Sequence, residues 1–273
     1  MRPKPRVLAV QHAASGGPGR FGDWLTEDGL DVDVVPAFDG TALPSRLEHD
    51  ALLVLGGGYM PDDDAAAPWL PATRALVAQA LTDAVPMFGI CLGGQMIAAV
   101  GGGTVQADAG APENGSTPVT IRSEAEDDPL FHGLPPIVPA IEHHVDAITA
   151  LPPGAVWLAE TGRCPYQAFR LGGHAWGVQF HPEAVPERIL HWNSDRLRDQ
   201  GYDRQELYAK AVADEPLSTP VWRLVAERFA GIVHDRHASS APSTDLPDGT
   251  GRHGDRGSGP AGGSTGLQPH APS

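Results

Sequence analysis

The sequence predicts a doubly wound α/β fold: a mostly parallel sheet with flanking helices and an antiparallel extension. Two observations carry this. In the first hundred residues, short continuous apolar runs alternate with segments of helical spacing, and continuous runs suit strands covered on both faces. In the second half the strands become shorter and more closely spaced, with a Gly172-Gly173 turn between two of them, the pattern of hairpins rather than crossovers.

The elements follow in order. Arg6–Val10 is the first strand and a helix is expected near Phe21–Asp28. Asp31–Val35 alternates as a strand, and Ala51–Leu55 is a continuous apolar run ending in Gly56-Gly57-Gly58. Pro71–Leu81 places Ala72, Ala75, Leu76 and Ala80 on one helical face. Val85–Ile90 and Leu92–Val100 make the next strand and helix. Val105–Ala107, Thr117–Arg122, Val156–Ala159, Tyr166–Arg170 and Ala175–Phe180 are the shorter strands of the extension. A last helix is expected to start at Ser218-Thr219-Pro220, with a capping hydroxyl and a first-turn proline, and to bury Val221, Leu224, Val225 and Phe229. Residues 1–236 are thus expected to form one domain. Residues 237–273, dominated by Gly, Ser, Pro, Ala, Asp, His and Arg, are expected to be a disordered tail, because they bury too little to offset their ordering entropy.

Composition narrows the function. A net charge of -15 argues against a general affinity for nucleic acid or for anionic membrane. No apolar run approaches the ~20 residues of a membrane span. The basic N-terminus leads into a stretch too short for a secretory signal and better suited to a strand. The two cysteines, Cys91 and Cys164, make no disulfide framework, so a reducing cytoplasm is the expected compartment, where a cysteine can serve as nucleophile. Cys164 stands before a proline with no special turn around it and reads as structural.

Cys91 sits in Phe88-Gly89-Ile90-Cys91-Leu92-Gly93-Gly94-Gln95, a strand, a sharp turn and a helix. The pattern Gly-x-Cys-x-Gly is the cysteine form of a nucleophile elbow. The turn lifts the nucleophile above the sheet, and side chains two positions away on either side would collide, hence Gly89 and Gly93. The helix that follows points its positive end at the sulfur, where an anion is stabilised. The Leu92 amide is then placed to donate to an oxyanion. In Trp176-Gly177-Val178-Gln179-Phe180-His181-Pro182-Glu183, a strand runs into His181 and Pro182 ends it. Glu183 lies two residues on and can orient the imidazole.

Taken together, these two segments, about 90 residues apart, resemble the class I glutamine amidotransferase family over roughly residues 6 to 190. The resemblance implies a flavodoxin-like core and a catalytic unit of Cys91, His181 and Glu183. It implies an oxyanion hole of the Leu92 amide and a second donor at Gly57, although this chain has Gly58 and Tyr59 where the family has proline. It assigns Gly58, Gln95, His144 and Asp146 to substrate binding, the last two from Ile141-Glu142-His143-His144-Val145-Asp146. The adjacent histidines have no third ligand at zinc-like spacing, so neither metal nor cofactor is expected.

The implied reaction is hydrolysis of the glutamine side-chain amide through a γ-glutamyl thioester, with ammonia released to a separate synthetase or acceptor subunit. No synthetase domain or Gly-x-x-x-x-Gly-Lys phosphate loop is visible in the sequence. Two alternatives stay open: a free-standing hydrolase acting on a γ-glutamyl small molecule, and a non-catalytic binding module with the same fold.

Overall fold

The computed structural model describes residues 3–240. Its elements run β1 (Arg6–Gln11), α1 (Gly19–Glu27), β2 (Asp31–Pro36), β3 (Ala51–Val54), α2 (Leu70–Thr82), β4 (Met87–Ile90), α3 (Leu92–Val100), β5 (Thr104–Gln106), β6 (Glu113–Ile121) and β7 (Ile137–His144). They continue as β8 (Ala147–Ala150), β9 (Val156–Glu160), β10 (Ala168–Leu171), β11 (Ala175–Val178), α4 (Ser194–Asp199) and α5 (Arg204–Ser239). The main sheet has the order β2-β1-β3-β4-β11-β10-β9-β6-β7. Strands β2, β1, β3, β4 and β11 pair in parallel, and β10, β9, β6 and β7 continue the sheet by antiparallel pairs.

Helices cover both faces of the parallel half, which explains its unbroken apolar runs. Along β1, Val7 and Ala9 face one core while Leu8 and Val10 face the other. The first core packs Phe21 and Leu25 of α1 and Trp222, Val225 and Phe229 of α5 against Phe88 and Trp176. Phe88 stacks on Phe21 at 4.8 Å between ring centroids and meets Phe229 edge-on at 5.8 Å. The second core packs Leu76 and Val77 of α2 and Met96 and Ile97 of α3 against Leu52, Val54 and Met87. Full burial of each such side chain contributes ~1.5–3 kcal/mol.

The expected β10–β11 hairpin forms, with Gly172 at a φ of 62° in its turn. Other expectations are corrected. The expected strand at Val105–Ala107 becomes β5, which pairs with β8 in a separate two-stranded sheet rather than extending the main one. Strand β7 has no clear sequence signature, because Pro139 interrupts its run and Glu142, His143 and His144 make its end polar. The last helix starts at Arg204 under an Asp203 cap, not at Ser218, and carries Pro216 and Pro220 inside it. An interior proline removes a helical hydrogen bond, but tertiary contacts hold this stretch together. Arg20 donates to Thr219 at 2.8 Å and Trp222 donates to the Pro139 carbonyl at 3.0 Å, while within the helix itself Ser218 donates to the Glu215 carbonyl at 3.3 Å. The helix also takes in residues 237–239 of the expected tail, with His237 bonded to Asp50 at 2.9 Å. The rest of that tail, 241–273, lies outside the described residues. Among those described, no helix is long and apolar enough to cross a membrane.

Candidate active site

Three segments far apart in sequence end at one edge of the sheet. Strands β3, β4 and β11 are parallel neighbours, so the chain leaves all three at their C-terminal ends, side by side. Gly56–Gly58 follow β3, Cys91 follows β4 and His181 follows β11. The Cys91 amide donates to Val178 at the end of β11 (2.8 Å), and the His181 amide donates to Ile141 in β7 (2.8 Å). Edges where parallel strands end are where such sheets bind ligands.

Cys91 has φ 51° and ψ −109°, a backbone conformation that L residues rarely adopt. The turn holds it by close packing. A Cβ on Gly93 would run into the Val54 carbonyl oxygen, and one on Gly89 would run into the Gly93 backbone. Cys91 leads directly into α3, so the Leu92 amide is among the first-turn N–H groups that have no acceptor inside the helix.

His181 and Glu183 are both buried, and His181 Nδ1 lies 2.8 Å from Glu183 Oε1. The Arg188 guanidinium donates to the same oxygen at 3.1 Å. Burial disfavours charge on both groups, but their mutual attraction outweighs it. The His181 pKa is raised, with Glu183 and Cys91 as the opposing causes, and that of Glu183 is lowered by His181 and Arg188. A cysteine thiol, an imidazole and a buried carboxylate that holds the imidazole are thus gathered in one place, a set of groups able to carry out acyl transfer.

The cavity above them, of about 250 Å³, is lined by Gly56, Gly57, Gly58, Cys91, Gln95, His144, Asp146 and His181 among others. It therefore gathers every residue expected to bind substrate. Leu92 is buried beneath it and Glu183 stands behind His181. The Gln95 amide donates to the Asp146 carbonyl at 3.0 Å and to Gln179 at 3.1 Å.

A family model described as "Glutamine amidotransferase class-I" matches residues 23–191. The chain belongs to the class I glutamine amidotransferase family. A subunit of the glutamine-hydrolyzing GMP synthase of Halobacterium salinarum is 34% identical over 159 residues, which cover 58% of this chain and 78% of that one. The glutamine amidotransferase-like protein YfeJ of Salmonella typhimurium is 29% identical over 234 residues, covering 81% and 96%. Among solved structures, a glutamine amidotransferase from Thermotoga maritima superposes with a TM-score of 0.75 at 26% identity, over 84% of this chain and 99% of that one.

Within this class I amidotransferase fold, several residues beside Cys91 carry no signal of their own in the sequence. Gln179 points its amide at the Cys91 sulfur from 3.6 Å. Gly56, rather than Gly57, backs the Cys91–His181 pair: a Cβ there would stand 3.1 Å from His181 Cε1 and 3.6 Å from Cys91 Cβ. Gly57 instead lies against Leu92 and His12, where a Cβ would meet side chains at 2.8 and 2.9 Å. Tyr59 meets Trp69 edge-on at 5.7 Å, and the Trp69 indole donates to buried His12 at 3.0 Å. That aromatic buttress braces the glycine loop from outside. Periodicity does not reveal these contacts, because apart from Tyr59–Trp69 each joins residues at least about 35 positions apart.

Proposed function

We propose that this chain hydrolyses the side-chain amide of glutamine, with Cys91 as nucleophile, His181 as general base and acid, and Glu183 as the residue that orients His181. The observation that carries the reading is the strained Cys91 turn opening into the cavity where the buried His181–Glu183 pair ends. Cys91 attacks the carboxamide carbon as His181 takes its proton. The tetrahedral oxyanion is held by the Leu92 amide and a second donor from the Gly57 loop. Its collapse breaks the C–N bond, and the proton on His181 leaves with ammonia, giving a γ-glutamyl thioester. Water, deprotonated by His181, then releases glutamate and restores the thiol. Gln95, Gly58, His144 and Asp146 hold the substrate. The similarity to one subunit of a glutamine-hydrolyzing GMP synthase supports delivery of the ammonia to a separate synthetase partner. Both cysteines are free thiols, in keeping with work in a reducing cytoplasm.

A second reading, hydrolysis of a γ-glutamyl amine, is favoured by a specific feature. A second cavity of about 280 Å³ adjoins His181 and is lined by His143, Arg188, His191, Trp192 and Asn193. The His143 ring stacks on Trp192 at 4.0 Å. The base must protonate the departing nitrogen, so a cavity beside it has room for an organic amine as well as ammonia. Glutamate release from glutamine, compared with release from γ-glutamyl amines, tests both readings. Hydrolysis of glutamine that a co-purified synthetase stimulates favours the first, and a preference for organic amines the second. Inactivity on all of them, by a protein indistinguishable from its Cys91→Ala variant, refutes both and leaves a binding module.

A further inference from the structure

At the end of β7, His144 of the cavity wall meets three side chains that amide hydrolysis does not use. Glu142 is fully buried, and neither of its carboxylate oxygens has a hydrogen-bond partner among the described residues. Glu113 is buried beside it, with one oxygen accepting from Thr161 Oγ1 at 2.7 Å and the other from Gln167 Nε2 at 2.8 Å. His144 is the cross-strand partner of Glu113. Its Nδ1 donates to the Asp146 carbonyl at 3.1 Å, which turns Nε2 into the group, 3.2 Å from Glu142 Oε2 and 3.3 Å from Glu113 Oε2. Cys164 closes the cluster from the loop before β10. Its sulfur and the donor atoms of Glu113 and His144 all lie within 4.8 Å of one another.

Two arrangements compete to explain these contacts. An imidazolium held between carboxylates makes charge-assisted hydrogen bonds of ~2.7–2.9 Å. Here the separations are longer, and Nε2 makes no hydrogen bond of acceptable direction. A tetrahedral zinc ion with bonds of ~2.0–2.3 Å has edges between ligands of about 3.3–3.7 Å, close to the 3.3 Å that His144 Nε2 keeps from Glu113 Oε2. A cation there also offsets the desolvation of two buried carboxylates, Glu113 and Glu142. The surrounding bonds fit ligation as well. The Asp146 carbonyl sets the His144 tautomer with Nε2 free, and Thr161 and Gln167 orient Glu113, as outer partners of metal ligands do.

We propose that Glu113, His144 and Cys164 form a three-ligand site for a zinc-class divalent cation, with the buried Glu142 carboxylate beside His144. Binding replaces the Cys164 S–H bond with a metal–sulfur bond and releases the proton to solvent. The ion enters from the substrate cavity, which His144 lines. Once bound, it ties β6, β7 and the loop before β10 together and fixes His144 at the wall of that cavity.

Cobalt(II) titration of the metal-stripped full chain tests the site, because a thiolate ligand gives a charge-transfer band in the near ultraviolet. One band saturating at one ion per chain is expected in wild type. It should persist in Cys91→Ala, which removes the other thiol, and vanish in Cys164→Ser, with circular dichroism checking the fold of each. Glu113→Gln, nearly isosteric, removes one ligand and should weaken cobalt binding by about tenfold or more. A wild type without the band, a band that survives Cys164→Ser, or unchanged cobalt affinity in Glu113→Gln overturns the proposal.

Discussion

Glu183 Oε1 accepts from His181 Nδ1 at 2.8 Å inside the protein, and Arg188 caps the same oxygen. The imidazole is thereby held in the tautomer whose Nε2 is free to take a proton. Glu183→Gln keeps the shape but replaces the carboxylate with a group that can stabilise the wrong tautomer. Its kcat on glutamine should fall by about 10³-fold or more, by analogy with a carboxylate–histidine pair in a serine protease. Steady-state ammonia release measures it, and a loss smaller than tenfold would deny Glu183 that role.

Cys91→Ala should lower turnover by at least about 10³-fold while leaving the far-ultraviolet circular dichroism unchanged, since no other group can form the thioester. In wild type, acid quenching during turnover should trap a γ-glutamyl adduct on Cys91, visible by mass spectrometry.

Gly93→Ala probes the turn. A Cβ at this position collides with the Val54 carbonyl, which belongs to a buried strand and cannot move aside. The variant should lose about 1–3 kcal/mol of stability to overpacking, read as a lower denaturant midpoint, and should lose activity more steeply as the elbow shifts. Gly58→Ala, where a Cβ meets nothing within 4 Å, is the matched control for stability.

His12 makes the fold sensitive to acid. Burial lowers its pKa from 6.5 to about 4. Its Nδ1 already accepts from Trp69, so the neutral form is the one that fits. A base with a depressed folded pKa contributes stability that is whole above the unfolded value and is lost as pH falls from about 6.5 toward 4. Between pH 7 and 5 this amounts to about 2 kcal/mol. His12→Gln, which retains an acceptor for the indole, should remove that part of the pH dependence in urea melts. Parallel wild-type and variant curves from pH 7 to 5 would contradict it.

Trp192→Ala opens the wall of the second cavity and removes the partner of His143. If that cavity receives an organic leaving amine, kcat/KM should fall on γ-glutamyl aryl amines and change little on glutamine. An equal fall on both would place Trp192 in support of the active-site wall alone.

Alternation of apolar runs with helical spacing was enough to define the α/β class and most parallel-half elements, because strands covered on both faces leave a continuous apolar signature. The Gly-x-Cys-x-Gly segment likewise revealed its sharp turn, since only glycine fits against Val54 and the following helix. Tertiary structure decided the rest. Gln179 and Gly56 reach Cys91 only because β3, β4 and β11 lie side by side in parallel. The proline pair sits inside α5 because α1 and β7 grip it from both sides. Strand β7 forms against β6 despite a weak pattern of its own, and it carries Glu142 and His144 to Glu113 and Cys164. Short sequence windows record backbone periodicity and turn chemistry. They do not record which distant strands become neighbours, since that depends on how the whole chain buries its apolar surface, and the Cys91 site and the His144 cluster are both assembled at that level.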